Sequence, residues 1–216
     1  MQPLRRSPRG GVGNGVRSFA APHNLLGFSL VELLIVVAII ALIGAATVPR
    51  ITAGLDEARA RGAAFYVSSR FALARTLAAQ RNANVAFRFE PQAGSFRVRT
   101  FMDTNGNGVR TAEIARGIDV AILADERLDH LFSGVDYGFV AGARLIDGTA
   151  VTEGDDPIRF GATDMLIFTP SGTATAGTAY IRSDSGSSQF AVIVLGATGR
   201  TRIGRFDLRT REWTIP

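Results

Sequence analysis

Gly27-Phe28-Ser29-Leu30-Val31-Glu32-Leu33-Leu34-Ile35-Val36-Val37-Ala38-Ile39-Ile40-Ala41-Leu42-Ile43-Gly44-Ala45-Ala46-Thr47-Val48 is the stretch on which the reading of the fold turns. From Phe28 onward these 21 residues carry one charge, Glu32. As an α-helix they would cover roughly 31 Å, about the hydrocarbon thickness of a bilayer. A secretory signal peptide has a shorter apolar core and ends at a small-residue cleavage site, whereas here the run continues through Pro49 and Arg50 into an amphipathic pattern. The segment is therefore expected to stay in the chain as a transmembrane helix over 28–48. Glu32 needs an explanation, because a carboxylate at the centre of such a helix costs about 2.5–3.5 kcal/mol on insertion scales. Near the helix start the dipole favours it.

The 27 residues before Phe28 are rich in Arg, Gly and Pro and contain four Arg and no acid. All 24 basic residues are Arg, so the remainder holds 20 Arg against 19 carboxylates. The formal charge of +5 belongs to the tail, and the near-neutral remainder exerts no general attraction on phosphate. Basic residues before the apolar run and acids after it place the tail on the cytoplasmic side and the bulk of the chain outside. Cys is absent, which excludes disulfides and thiolate metal sites.

Beyond Pro49, which is expected to kink or interrupt the helix, Leu55, Ala58, Gly62, Phe65, Ser69, Ala72, Leu73, Thr76 and Leu77 recur at helical spacing. They predict an amphipathic helix over 49–82 with that stripe as its apolar face. Ala58, Gly62 and Ser69 are expected to pack on the chain's own head, with a neighbouring subunit as the other choice. From Val85 the period becomes two, which predicts a β-rich head over 83–216. Val85–Phe89 and Ser95–Arg99 flank Pro91-Gln92-Ala93-Gly94 as a hairpin. Further strands are expected within 117–122, 157–160, 165–169, 177–182, 189–195 and 199–206. A short helix is expected over 124–132 and an irregular Gly-rich insertion over 133–156. The fold class is α+β.

The run from Gly27 to Leu34, after a basic tail and before apolar residues ending at Pro49, resembles the class III signal of type IV pilins and type II secretion pseudopilins. The resemblance implies a leader over 1–27, cleavage between Gly27 and Phe28 by a prepilin peptidase, and N-methylation of Phe28. It also implies an assembly role for Glu32, whose carboxylate would neutralise the terminal amine of a neighbouring subunit, so that both are tolerated only when subunits stack. Ser29 and Val31 replace the commoner Thr and Ile. The helix segment from Arg70 to Asn82, Phe101-Met102-Asp103 with its Gly-Asn loop, Phe168-Thr169-Pro170-Ser171-Gly172 and Gly199-Arg200-Thr201-Arg202 together resemble the H-type minor pseudopilins and FimT-like minor pilins. That family implies a long N-terminal helix packed on an antiparallel sheet.

Two places in the head carry candidate chemistry. Asp103-Thr104-Asn105-Gly106-Asn107-Gly108-Val109-Arg110-Thr111-Ala112-Glu113 puts oxygen ligands Asp103, Asn105 and Asn107 at alternate positions and Gly at the sixth, as calcium loops do. Glu113 arrives one residue early, Ile114 holds the twelfth position, and Arg110 adds a cation. The other reading is a metal-free hairpin turn whose Asn-Gly pairs supply positive φ. No other cofactor is expected, and with two His and no Cys neither a zinc site nor a thiol nucleophile can be built, so catalysis is not expected. Arg200, Arg202 and Arg205 form the basic cluster. On a strand, Arg200 and Arg202 share a face about 7 Å apart and could meet successive phosphates. Arg on an edge strand also prevents aggregation.

The resemblance implies a minor pseudopilin of a type II secretion system, placed at or near the pseudopilus tip and serving protein export, with its head in the periplasm and its helix in the inner membrane. Other pseudopilins, the prepilin peptidase and the inner-membrane assembly platform are its expected partners. The alternative is a FimT-like minor type IV pilin that binds DNA for natural transformation.

Overall fold

The computed structural model describes residues 28–216, apart from the side chains of 46–50, 52 and 53. The expected leader, Gly27 included, lies outside the described residues. The chain divides into two units, 1–44 and 45–216. One helix, α1 (Leu30–Arg81), contributes to both. Ser29 starts it, its Oγ accepting the Val31 N–H at 3.3 Å and its carbonyl the Leu33 N–H at 3.1 Å. Such side-chain capping is the usual role of Ser at this position. Pro49 lies inside α1 and does not interrupt it.

In the first unit every described residue from Phe28 to Ile43 is exposed, on all faces of the helix. Among the described residues no helix is long and apolar enough to cross a membrane. The expected span runs on to Val48, across residues whose side chains are not described.

The second unit is α+β with two antiparallel sheets. Strands β1 (Val85–Gln92) and β2 (Ser95–Met102) form the expected hairpin, turning on Ala93 and Gly94, both at positive φ. That is the geometry of a two-residue primed turn. A short α2 (Thr111–Ala115) follows, then β3 (Val120–Ala121), β4 (Glu126–Arg127), α3 (Leu128–Leu131), β5 (Val135–Tyr137), β6 (Ile158–Arg159) and β7 (Met165–Phe168). The chain closes with β8 (Gly177–Ser183), β9 (Gln189–Leu195), β10 (Arg200–Asp207) and β11 (Glu212–Thr214). The first sheet runs β3-β2-β1-β7, with β4 also on β2; the second runs β11-β10-β9-β8-β5, with β6 also on β8.

Residue alternation sorts each strand between two faces. Val85, Phe87 and Phe89 of β1, Ala179 and Ile181 of β8, and Phe190, Val192 and Val194 of β9 join one core with α1. On the opposite faces, Ala86, Phe101 and Met165 pack under Val109 of the connection between β2 and β3. Tyr180 and Ala191 likewise pack under Leu145, and Phe206 under Val140 and Ala143. Segment 133–156 is thus not a loose insertion. It contributes β5, paired with β8, and it roofs the second sheet. The helix expected over 124–132 is confined to α3, since Glu126 and Arg127 pair with β2 instead.

The face α1 buries differs from the expected stripe. Ala60, Ala63, Ala64, Val67, Phe71, Ala74 and Ala78 are buried, whereas Leu55, Ala58, Phe65, Ser69, Ala72, Leu73 and Thr76 are exposed. Of the expected stripe, Gly62 and Leu77 are half-buried. The reason is steric. Ala on the helix lets the sheets approach closely, and the volume is filled from the sheet side by Phe87, Phe89, Phe160 and Phe168, all grouped around Phe71 with centroids 5.2–6.5 Å away.

Overpacking follows from that geometry. Ala74→Leu is expected to destabilise the fold by about 1–3 kcal/mol, because the site is closed. Leu73→Ser, one position away on the open face, should stay within about 0.5 kcal/mol. Urea unfolding followed by Trp213 fluorescence checks both, and equal effects at the two positions would overturn the assignment of faces.

Candidate functional site

Three regions hold the residues singled out by the sequence, and the structure treats them differently. In the first unit, Phe28 precedes α1 and is 82% exposed, and Glu32 sits exposed in the first helical turn. Glu32 is the only charged residue of the described apolar stretch.

The second region is the connection 103–119. It is not a hairpin turn, since it links β2 to the antiparallel β3 through α2 and packs on the sheet by Val109 and Ile114. Asp103 is buried, with Oδ1 accepting the N–H of Asn105 (3.2 Å) and Gly106 (2.8 Å). Its Oδ2 accepts from Gly108 N–H (2.8 Å) and Asn84 Nδ2 (2.9 Å). Burial pushes this carboxyl up, but the Asn84 and backbone hydrogen bonds outweigh it and hold the group below its ordinary value. The one-residue shortening of the loop is absorbed by α2, which turns Glu113 inward and buries it. Glu113 Oε1 accepts from Asn107 Nδ2 at 2.8 Å and Oε2 from Asn105 Nδ2 at 3.3 Å. The Arg110 side chain points to solvent, while its N–H donates to Asp119 Oδ2 at 3.0 Å. Asp119 is buried and lies outside any twelve-residue loop pattern, so the sequence reading missed it. Among the described residues no three His, Cys, Asp or Glu side chains stand together as metal ligands.

The third region is β10. Arg200 and Arg202 lie on one face of the strand and are exposed, and neither forms an ion pair with a described residue. Arg205 belongs to the other face, where it meets Glu57 of α1 at 3.1 Å; Arg61 holds the same carboxylate at 3.1 Å. Thr201, also on that face, bonds Ser68 at 2.7 Å. The expected cluster of three is therefore a pair plus one Arg bound to the helix. β11 pairs only with 205–207, which leaves the outer side of 200–204 without a strand among the described residues. Both the edge reading and the phosphate reading remain compatible with that placement.

Gly199 has a different task. It adopts φ +58° and is buried; a Cβ there would stand 2.6 Å from the Gly172 carbonyl oxygen and 3.2 Å from Arg75 Cδ. Arg75, the Thr169–Gly172 turn and Gly199 thus meet at one corner, where the helix, the end of β7 and the β9–β10 turn come together. Nearby on α1, Arg70 binds Glu126 through two hydrogen-bonded contacts, 2.6 and 3.2 Å, and ties the helix to β4.

Comparison with known proteins finds no match: no protein-family model, curated protein or solved structure corresponds to this chain.

Gly199→Ala should cost about 1–3 kcal/mol, because an L side chain is strained at this φ and has no space. Arg200→Ala and Arg202→Ala should each change stability by less than about 0.5 kcal/mol, as exposed substitutions do. Chemical unfolding curves for the three variants test the division of the motif into a structural Gly and two free Arg.

Proposed function

We propose that this chain is a pilin-like subunit that inserts by its apolar N-terminal segment and assembles by stacking that segment against copies or relatives of itself, most specifically as a minor pseudopilin of a type II secretion system. The observation that carries the reading is α1. Up to Ile43 it exposes apolar residues on every side with Glu32 as the sole charge, and from Ala60 on it buries an Ala-rich face under antiparallel sheets. A helix apolar all round demands a surrounding of lipid or other helices. The helix keeps a further exposed stripe, Leu55, Phe65 and Leu73, which suits lateral packing in a filament. In this reading the subunit moves cargo and catalyses nothing, and the prepilin peptidase and an inner-membrane assembly platform are its partners.

A second reading, a FimT-like DNA-binding minor pilin, is favoured by the exposed pair Arg200 and Arg202, free of acidic partners among the described residues. Both readings share the anchor and differ in the head.

Two experiments separate these possibilities from error and from each other. Gly27→Phe should leave the 27-residue leader attached, and Glu32→Leu should insert yet fail to enter filaments. Mass spectrometry of the mature terminus and assembly assays report the outcomes; a methylated Phe28 in the first variant, or normal assembly of the second, would sink the pilin reading. For DNA, wild-type binding should weaken steeply with salt. Arg200→Ala/Arg202→Ala should lower the log–log slope by roughly one to two, at about 0.9 per neutralised phosphate of a duplex. No binding at low salt removes the DNA reading and leaves the secretion reading.

A further inference from the structure

Strand β10 is not paired along its whole length. β9 lies against Arg200 to Phe206 on one side, but β11 reaches only Arg205 to Asp207 on the other. Past β11 the chain runs beside Gly204, where a Cβ would stand 3.4 Å from Ile215 Cγ1. The outer side of 200–203 therefore meets no strand among the described residues, and the backbone N–H and C=O groups of such an edge are a template for another strand. Between this edge and α1 lies an open groove of about 580 Å³, lined by Phe65 of the helix and by Phe190 and Ile203 of the sheet. Phe65 is 61% exposed, the one exposed aromatic ring of the second unit among the described residues. The charge around the groove is one-sided. Arg61, Arg202 and Arg205 border it against Asp207, and Glu57 is a single carboxylate that Arg61 and Arg205 share, at 3.1 Å from each. Asp207 Oδ1 already accepts the N–H groups of Arg209 (2.7 Å) and Thr210 (3.2 Å).

We propose that the edge 200–203 accepts an extended segment of another protein in which acidic and apolar residues alternate. Strand addition of this kind draws affinity from backbone hydrogen bonds and selectivity from the surroundings of alternate side chains. The alternation follows from the pleat, which sends successive side chains to opposite faces. Thr201 and Ile203 turn toward α1, while Arg200 and Arg202 take the other face and are exposed. An added strand is sorted the same way. Its apolar side chains on the helix side meet Phe65 and Ile203, and its carboxylates on the other side meet the two guanidinium groups, an attractive cross-strand pairing. A second copy of this edge fits badly. Antiparallel pairing of the edge with itself, centred on Thr201 or on Arg202, sets Arg200 opposite Arg202 or Arg202 opposite its own copy, and like charges directly opposite are destabilising. The same Arg pair that turns away a copy selects an acidic strand. This inference concerns the head alone and holds whichever assembly the chain enters.

The test uses the purified full chain in detergent and a dye-labelled Glu-Val-Glu-Val-Glu-Val peptide, with binding read by anisotropy at low salt. The acidic peptide is expected to bind and Lys-Val-Lys-Val-Lys-Val is not. Arg200→Ala/Arg202→Ala should weaken binding about tenfold, and Phe65→Ser should weaken it at least about threefold through lost apolar contact. Both variants should keep the wild-type melting temperature, since the sites are exposed. Two further peptides carry N-methyl groups on alternate residues, one on the Glu set and one on the Val set. In a paired strand alternate residues direct their N–H groups to opposite sides, so one of these peptides should lose binding and the other keep it. No binding of the acidic peptide at millimolar concentration overturns the proposal. So does binding that survives both methylated forms, which is charge attraction without strand pairing, and so does equal binding of Glu-Glu-Glu-Val-Val-Val, which lacks the alternation. Dimerisation of the chain that depends on Arg200 and Arg202 would give the edge to a second copy. Binding of duplex DNA that depends on those two residues, when peptide binding does not, would give them to phosphate. Either result overturns the proposal.

Discussion

The close seating of α1 on two sheets at once is the constraint on which the rest of this structure depends. Small side chains, Ala60, Ala63, Ala64, Ala74 and Ala78, bring the helix backbone near the strands, and Phe71 fills the one place where both sheets and the helix meet. Phe87 and Phe168 reach it from the first sheet, and Phe160 from just past the end of β6. Interiors this dense do not tolerate a change of size on either side. The two sheets share no strand, so their common attachment to α1 keeps them one body, supported by contacts such as Ser95 with Asp136 at 2.7 Å.

Because the core with α1 consumes one face of β1, β8 and β9, each sheet must protect its other face by different means. Long connections do this. Val109 and Ile114 cover the first sheet, and Val140, Ala143 and Leu145 cover the second together with Trp213. The 103–119 connection is thereby pinned to a sheet by apolar contacts, and its acids are carried into a buried setting that they would never occupy in a free loop. The unusual polarity of that connection and its burial have one cause.

Much of this was legible in the sequence, and the failures have physical reasons. Alternation at Val85–Phe89, 189–195 and 199–206 marked real strands, since half-buried strands leave a period of two. The Ala93-Gly94 turn was legible from its residue types. The buried face of α1 was not, because a stripe of large residues, Leu55, Phe65 and Leu73, outranks Ala on any scale of apolarity. Close packing selects Ala instead, so the large residues are the ones left outside. β5 and β11 are three residues each, too short to display a period. The burial of Asp119 and its bond from the Arg110 N–H were invisible because pairing of β2 with β3, not spacing along the chain, folds the connection back on itself.

The C-terminal motif can be decomposed on the same grounds. Gly199-Arg200-Thr201-Arg202 follows Phe168-Thr169-Pro170-Ser171-Gly172 and a helical Arg75 in the chain, and the three pieces meet at one corner. Gly199 is there because nothing larger fits against the Gly172 carbonyl and Arg75, and Thr201 is there to bond Ser68 of the helix. Both would be required of any subunit with this corner, whatever it binds. A resemblance built on the order of these pieces therefore speaks to the fold, and the weight of a phosphate-binding argument falls on Arg200 and Arg202 alone. Arg205, drawn to Glu57 on the opposite face, adds nothing to that surface. Two guanidinium groups on an otherwise near-neutral head give few phosphate contacts, and few contacts mean weak, strongly salt-sensitive binding. The exposed apolar length of α1 belongs to both proposed readings alike, so the choice between them falls on the head and on those two Arg.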